Sequence, residues 1–222
     1  MVWSGTSSGN RDSLTIELAA TAARLIAEDG CDYATAKRKA AQLVLGDAGF
    51  PRRGGWPEND LVESELRRYL RTFGGERHAA LLSDLRTVAL AVMEYLANFS
   101  PHLVGAVLNG TATEHSDLHL HLFTDSAKDV EIFLLNEGQR FAVEEARDPP
   151  GVLECIRLQV PQRLLRDRRS LLAVLSVLPT DAVRVASRFR SADLTLSPVE
   201  KSGRANLAAV RSLVATATRS PT

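Results

Sequence analysis

The sequence predicts an α+β (mixed α/β) protein in which a helical N-terminal part precedes a small mixed β-sheet and C-terminal helices. Apolar residues recur every three or four positions through most of the first hundred residues, as they do on the buried face of a helix. Between Leu118 and Leu122, leucine instead alternates with polar residues, which is the period of a half-buried strand. The apolar run at residues 171–178 predicts a further, buried strand.

The composition is that of an ordinary soluble globular protein. Of the 222 residues, 45% are hydrophobic and 24% are charged. The chain has no uninterrupted apolar run near the ~18 residues of a transmembrane helix, and its first residues lack the apolar core of a signal peptide. We therefore expect a cytoplasmic protein with no membrane partner. Cys31 and Cys155 are the only cysteines, and we expect both to be reduced.

The charges are unevenly distributed although the formal net charge is zero. Residues 161–222 contain 11 Arg and Lys against 4 Asp and Glu, so the earlier part of the chain is acidic. This asymmetry fits two parts that pack with complementary charge, or a basic face for phosphate or nucleic acid. The sequence has no lysine-rich run and no basic patch interleaved with aromatic residues, so a nucleic-acid partner has no further support.

Three regions are expected along the chain. Residues 1–12 are rich in Ser and Gly and predict a disordered N-terminus. Residues 13–100 predict a helical region of four helices, separated by breakers such as Asp29-Gly30 and Gly74-Gly75. Residues 101–222 predict the α/β domain. Beyond its central strands, we expect helices at 126–136, from about residue 181 and at 204–217, with strands at 140–147, 152–160, 171–178 and 194–196.

The most informative stretch lies between residues 103 and 123. The apolar residues Val104 to Leu108 predict a strand, which leads into the turn Asn109-Gly110-Thr111. A second strand is predicted to begin at Asp117. Its period of two places three leucines on one face and Asp117, His119 and His121 on the other. The sequence therefore predicts a strand with one core face, and with a carboxylate and two imidazoles beside a glycine turn.

This arrangement resembles the nucleotidyltransferase fold of the DNA polymerase beta-like superfamily. That family has a strand, a Gly-Ser or Gly-Gly turn, and a second strand with Asp-x-Asp or Asp-x-Glu. Gly110-Thr111 stands at the glycine position here, and Asp117-Leu118-His119 at the acidic position. The resemblance implies that Gly110 and Thr111 bind nucleotide phosphates, and that Asp117 binds Mg²⁺ or Mn²⁺ for nucleotidyl transfer.

Three departures from the family pattern predict a degenerate metal site. Only five residues separate Thr111 from Asp117, which is a shorter spacer than the family usually has. His119 replaces the second acid, and imidazole is a poor ligand for Mg²⁺. The strand predicted at residues 171–178 has no acid, so Glu154 is the nearest candidate for the third carboxylate. The catalytic residues implied are therefore Asp117, His119 and Glu154.

A second resemblance covers more of the chain. The segments AARLIAEDG, GAVLNGTA and KDVEIFLLN are similar to segments at corresponding places in a group of uncharacterised bacterial proteins. This similarity implies no particular reaction.

Three functional hypotheses follow from the sequence. The first is a nucleotidyltransferase-like protein that binds a nucleotide or another phosphate ligand, and that transfers nucleotidyl groups if it is active. The second is a non-enzymatic binding or regulatory module on a degenerate nucleotidyltransferase scaffold. The third is a DNA-binding regulator that uses the N-terminal helices, among them the basic segment Lys37 to Lys39.

Overall fold

The computed structural model describes residues 7–46, 55–144, 151–165, 170–185 and 196–217. The chain forms two compact units, Met1–Ala79 and Ala80–Thr222. The boundary lies about twenty residues before the one expected at residue 100. The reason is that the buried residues of the fourth helix, from Leu85 onward, belong to the core of the second unit.

The first unit is helical, as predicted. It contains α1 (Ser7–Asp29), α2 (Tyr33–Leu45) and α3 (Asn59–Tyr69), which continues into one π-helical turn (Leu70–Gly74). Asp32 caps α2 by accepting a hydrogen bond from the Thr35 amide at 2.9 Å. The expected disordered N-terminus differs from the structure, since α1 already begins at Ser7. Extending an existing helix adds one hydrogen bond per residue, which favours this growth beyond the nucleated part. Residues 1–6 lie outside the described part of the chain.

The basic segment of α2 makes contacts within its own unit. The Lys37 ammonium donates to the Pro57 carbonyl and to Asn59 Oδ1 at 3.3 and 2.9 Å. Lys39 Nζ lies 3.3 Å from Cys31 Sγ. On the inner face of α2, Ala36 and Ala40 are fully buried. These contacts are those of an ordinary helical pair, and they give no support to DNA binding.

The second unit is built around a six-stranded mixed sheet, which confirms the predicted α+β class. Its strand order is β3-β4-β5-β2-β1-β6; β2 and β5 are parallel, and all other neighbours are antiparallel. The elements are α4 (Gly75–Tyr95), β1 (His102–Val104), α5 (Gly105–Asn109), β2 (Leu118–Phe123), α6 (Ala127–Asn136), β3 (Phe141–Glu144), β4 (Glu154–Gln159), β5 (Leu172–Leu178), α7 (Pro198–Lys201), β6 (Ala205–Asn206) and α8 (Leu207–Ala217).

One face of this sheet forms the hydrophobic core. Leu118, Leu120 and Leu122 on β2 are fully buried, as the alternation predicted. On β4, Ile156 and Leu158 are buried beside them, and the apolar stripe of α4 belongs to the same cluster. We call this side of the sheet the leucine face.

The strand predicted from Val104 to Leu108 was wrong in its extent. The strand ends at Val104, and Gly105, at φ +69°, starts the short helix α5. A left-handed φ interrupts the extended backbone, and glycine adopts it without the steric cost of a Cβ. Val107 and Leu108 still bury their side chains, but they do so from a helix.

The remaining elements follow the prediction with local differences. The helix expected from about residue 181 is a 3₁₀ segment (Thr180–Arg184), and the last helix begins at Leu207 because the two residues before it form β6. The strand expected at 194–196 lies mostly outside the described residues. Within the described parts, no helix combines the length and apolarity needed to cross a membrane.

Candidate functional site on the histidine face of the sheet

The polar residues of β2 lie on the side of the sheet opposite the leucine face. Strand pairing places His102 of β1 opposite His121 of β2. On the other flank of β2, His119 lies beside Val174 of β5, and Val174 lies beside Arg157 of β4. We call this surface, with Asp117, His119, His121, His102 and Arg157, the histidine face.

At the N-terminal end of β2, an arginine lies between two carboxylates. Arg157 Nη2 is 3.6 Å from Asp117 Oδ2, and Arg157 Nη1 is 3.5 Å from Glu144 Oε1. All three side chains are partly exposed, so each ion pair contributes only about 0–1 kcal/mol to stability. Their chemical consequence is larger, because a guanidinium is permanently charged and neutralises the carboxylate that the family would offer to a metal.

His119 lies against a glycine rather than a side chain. A Cβ built on Gly105 would be 3.7 Å from His119 Cβ, so the β1–α5 junction passes close to the imidazole. The His119 side chain keeps solvent access, but the surrounding protein atoms still remove part of its hydration. This desolvation lowers the pKa of His119, while nearby Asp117 raises it and Arg157 lowers it. At neutral pH the imidazole is uncharged and open to a ligand.

His121 and His102 form a cross-strand pair that is poor in hydrogen bonds. Burial, Arg204 and the neighbouring histidines lower the pKa of His121 to about 4. Its buried Nδ1 has no hydrogen-bond partner among the described residues. His102 donates its Nδ1–H to the Ser100 carbonyl at 2.9 Å, which leaves its Nε2 free of that contact. Burial also lowers the pKa of His102.

Arg204 closes the other end of this face. Its guanidinium carbon is 5.1 Å from the centroid of the Phe123 ring. Nη2 donates to the carbonyls of Val183 and Val185 at 2.6 and 2.9 Å, and Nη1 to that of Ala182 at 3.4 Å. Within the described residues, no carboxylate pairs with Arg204. At the acidic end of the histidine face the carboxylates pair with Arg157, whereas at the other, cationic end Arg204 has no carboxylate partner in the part of the chain that the structure describes.

The Gly110-Thr111 turn, predicted to bind phosphate, is an internal structural turn. Gly110 has the positive φ that we expected, +83°, and caps the C-terminus of α5. Thr111 is 2% exposed. Its hydroxyl donates to Asn109 Oδ1 at 2.7 Å, and its amide donates to the same atom at 3.1 Å. These donors are thus already used within the turn.

A buried arginine from another helix, α4, stabilises the same turn by hydrogen bonds. Arg86 of α4 donates to the carbonyls of Val107 and Leu108 at 3.0 and 2.9 Å, which completes the hydrogen bonding at the end of α5. It also pairs with Glu200 of α7 at 2.7 Å. Both side chains are largely buried, so this pair has a structural role in joining α4, α5 and α7.

Glu154, the predicted third carboxylate, does not join Asp117. It lies opposite Val177 of β5, on the leucine face with Ile156. Its carboxylate is 3.8 Å from Lys128 of α6. Burial raises the pKa of Glu154, and Glu131 raises it further. The sequence placed Glu154 correctly with Ile156, but that is the side of the sheet opposite Asp117.

These residues do not fit Mg²⁺. Asp117 is paired with Arg157, His119 offers a neutral nitrogen, and Glu154 lies on the other face. Mg²⁺ prefers several hard oxygen ligands in octahedral geometry. Among the residues that the structure describes, no three His, Cys, Asp or Glu side chains are grouped closely enough to hold a metal ion.

Sequence reasoning missed Gly105, Arg157 and Arg204. Gly105 directly follows the strand, as the family's glycine does, and the spacer from Ala106 to Asp117 is then ten residues rather than five. Gly105 could have been found from the sequence if the strand predicted from Val104 to Leu108 had been ended at this glycine. Alternation along β4 shows that Arg157 faces away from Ile156, but no local signal shows that it reaches Asp117. The sequence neighbours of Arg204 give no signal for its role.

We also compared the chain with known proteins. No family model, curated protein or solved structure matches the chain.

Proposed function

We propose that this chain is a nucleotidyltransferase-like protein that binds a nucleotide, or another phosphate-bearing ligand, on the histidine face without requiring Mg²⁺. The observation that carries the proposal is the position of Arg157 between Asp117 and Glu144. Because this pairing occupies the Asp117 carboxylate, it supports ligand binding without a metal ion in place of metal-dependent catalysis. This combines the first two sequence hypotheses and makes the chain a binding module on a degenerate scaffold.

The β1–α5 junction supports the location. Gly105 brings backbone without a side chain close to the exposed ring of His119. An uncharged imidazole offers a flat surface on which a nucleobase stacks, as bases do on histidine in other nucleotide-binding sites. The Gly110-Thr111 turn, by contrast, uses its hydroxyl and its amide internally. We therefore place the ligand at Gly105 and His119 instead of at Gly110 and Thr111.

The test separates binding from transfer. Binding of ATP is measured by calorimetry in EDTA and in Mg²⁺, and transfer by incorporation of labelled nucleotide with Mg²⁺ or Mn²⁺. We expect equal ATP binding in EDTA and in Mg²⁺, and no Mg²⁺-dependent transfer. Any residual transfer should be better with Mn²⁺, because imidazole suits softer ions.

Three variants sharpen this experiment. His119→Asp restores a second carboxylate and should strengthen Mg²⁺ binding, whereas Asp117→Ala should not. Glu154→Gln is the matched control, since it removes a carboxylate from the leucine face, and it should leave ATP binding unchanged. Robust Mg²⁺-dependent transfer by the wild type, lost in Asp117→Ala, would overturn the proposal. An absence of ATP binding under every condition would overturn the assignment of the ligand as a nucleotide.

A further inference from the structure

Four aromatic or cationic side chains meet at the cationic end of the histidine face. The ring centroids of His102 and Phe123 are 5.0 Å apart, and those of His121 and Phe123 are 6.4 Å apart. The Arg204 guanidinium lies over the same phenyl ring. Phe123 itself is almost fully buried. The two imidazoles and the guanidinium therefore pack around the buried phenyl ring of Phe123.

The positive charge at this place has no counter-ion among the residues described. Arg204 donates three hydrogen bonds, all to backbone carbonyls. A guanidinium has five N–H donors, so Nε and one hydrogen of Nη1 are left over. Carbonyl oxygens satisfy donors but bring no net negative charge. Arg157 is different, because two carboxylates neutralise it.

The two imidazoles are suited to an anion in complementary ways. The Nδ1 of His121 is buried without a partner, and a buried N–H with no acceptor is costly, so the proton is favoured on Nε2, which can then donate. In His102 the proton on Nδ1 is held by Ser100, so Nε2 accepts a further proton more readily when an anion lies beside it. The charge of Arg204 lowers the pKa of both imidazoles, and a bound anion would reverse that effect.

We infer that His102, His121 and Arg204 form an anion subsite that binds a phosphate group. The identity of the ligand as a nucleotide rests on the proposed function, while the subsite itself is defined by these three side chains. Arg204 supplies permanent charge and two further donors, and His121 donates from Nε2. His102 becomes a donor when it takes up a proton with the anion. Because all the hydrogen-bond donors of this subsite belong to the protein, binding requires no metal ion.

The experiment uses inorganic pyrophosphate as the probe, in EDTA, with the full chain. Affinity is measured by calorimetry, and the pKa of each histidine by NMR titration of the ring protons. We expect pyrophosphate to raise the pKa of His121 from about 4 by more than about one unit, because an opposite charge nearby favours the protonated form. The pKa of His102 should rise in the same titration, which a purely structural role would not produce.

Three variants test the assignment of residues. Arg204→Gln and His121→Leu should each weaken pyrophosphate binding by about tenfold or more, as expected for loss of a charge-assisted hydrogen bond. His121→Leu does not touch the carbonyls that Arg204 holds, so it keeps the test valid if Arg204→Gln loosens residues 182–185. Arg211→Gln is the matched control, since Arg211 lies on α8 in an exposed pair with Glu94, and its affinity should equal that of the wild type.

ATP and adenosine distinguish the subsite from the proposed function. If pyrophosphate binds and ATP does not, the subsite stands and the nucleotide proposal fails. If ATP binds equally to the wild type, Arg204→Gln and His121→Leu, and the histidine pKa values do not move, the subsite is wrong and the proposed function stands. Binding of adenosine as tight as that of ATP would also overturn the subsite, because adenosine carries no phosphate.

Discussion

On one face of β2, three leucines are fully buried in a core to which α4 also contributes, whereas on the other face the alternating residues are an acid, two histidines and a phenylalanine. The leucine face is stabilised by removal of apolar area from water, which is non-directional. The histidine face instead contains a buried ring nitrogen without a partner and a guanidinium without a carboxylate, among the described residues.

The two faces differ in the polar groups that they leave without hydrogen bonds, and such groups lower the free energy of unfolding. An unsatisfied buried polar group costs about 1–3 kcal/mol. On the leucine face Glu154 Oε2 is also buried without a partner among the described residues, but the three leucines carry no such cost. Costs of this kind concentrate at functional sites, because a ligand supplies the missing partner. Substitutions of the leucines and of the residues on the histidine face should therefore behave differently.

The largest expected effect is on the leucine face. Leu120→Ala leaves a cavity in the closed core and should lower the free energy of unfolding by about 2–5 kcal/mol. His119→Ala, one residue earlier on the opposite face, should change it by less than about 1 kcal/mol, because the ring is solvent-exposed. Urea denaturation of both variants checks this. A Leu120→Ala protein as stable as the wild type would show that the face assignment is wrong.

The next effect is the pH dependence that His121 imposes. Its pKa is about 4 in the folded protein and about 6.5 in the unfolded chain. Between these values the unfolded state binds more protons, so the free energy of unfolding falls as the pH falls from 6.5 to 4. The described titratable or charged groups around His121 are His102, His119 and Arg204, and each lowers its pKa.

Denaturation at pH 7 and pH 5 measures this effect. The wild type should lose about 2 kcal/mol more than His121→Leu over that interval, by integration of the linkage relation. The difference between the two proteins isolates His121 from the other histidines, which titrate in both. Equal losses in the two proteins would show that the environment of His121 does not disfavour its charged form.

Local patterns in the sequence were enough for the leucine face. Period two assigns Leu120 to the core without knowledge of any other strand. The same rule failed between Val104 and Leu108, because a short apolar run buries its side chains equally well as strand or helix. The backbone of Gly105 decided between them, and its conformation is not visible in periodicity.

The histidine face required tertiary information. Alternation shows that Glu154 and Arg157 point to opposite sides of β4, yet which of them meets Asp117 depends on the order β4-β5-β2. The parallel pairing of β2 with β5 decides that order, and it arises from residues more than fifty positions apart. The resemblance to nucleotidyltransferases led to Asp117 and His119, which share the histidine face. It also led to Gly110-Thr111, whose donors are used within the turn, and to Glu154, which lies on the opposite face.

The two glycines provide a smaller and more specific test. Gly105 and Gly110 both have positive φ, and an added Cβ would make only ordinary contacts at either position. Alanine at each should therefore cost about 1–2 kcal/mol from the backbone alone. Only Gly105→Ala should weaken ATP binding, because only Gly105 lies beside His119. Equal loss of ATP binding in both variants would remove the distinction between an exposed junction and an internal turn.

The smallest expected effects are those of removing one carboxylate from each face. The change in the free energy of unfolding should differ in direction between the two variants. Asp117→Asn breaks a partly exposed ion pair with Arg157 and should lower the free energy of unfolding by less than about 1 kcal/mol. Burial and Glu131 disfavour the charged form of Glu154, so Glu154→Gln should leave stability unchanged or raise it slightly at pH 7. The loss in Asp117→Asn should shrink at about 0.5 M NaCl, since salt screens exposed charges. Thermal denaturation at low and high salt measures both variants.

A larger loss of the free energy of unfolding in Glu154→Gln than in Asp117→Asn would contradict this expectation. It would show that the acid on the leucine face is well paired and that the difference between the two faces does not extend to charged residues.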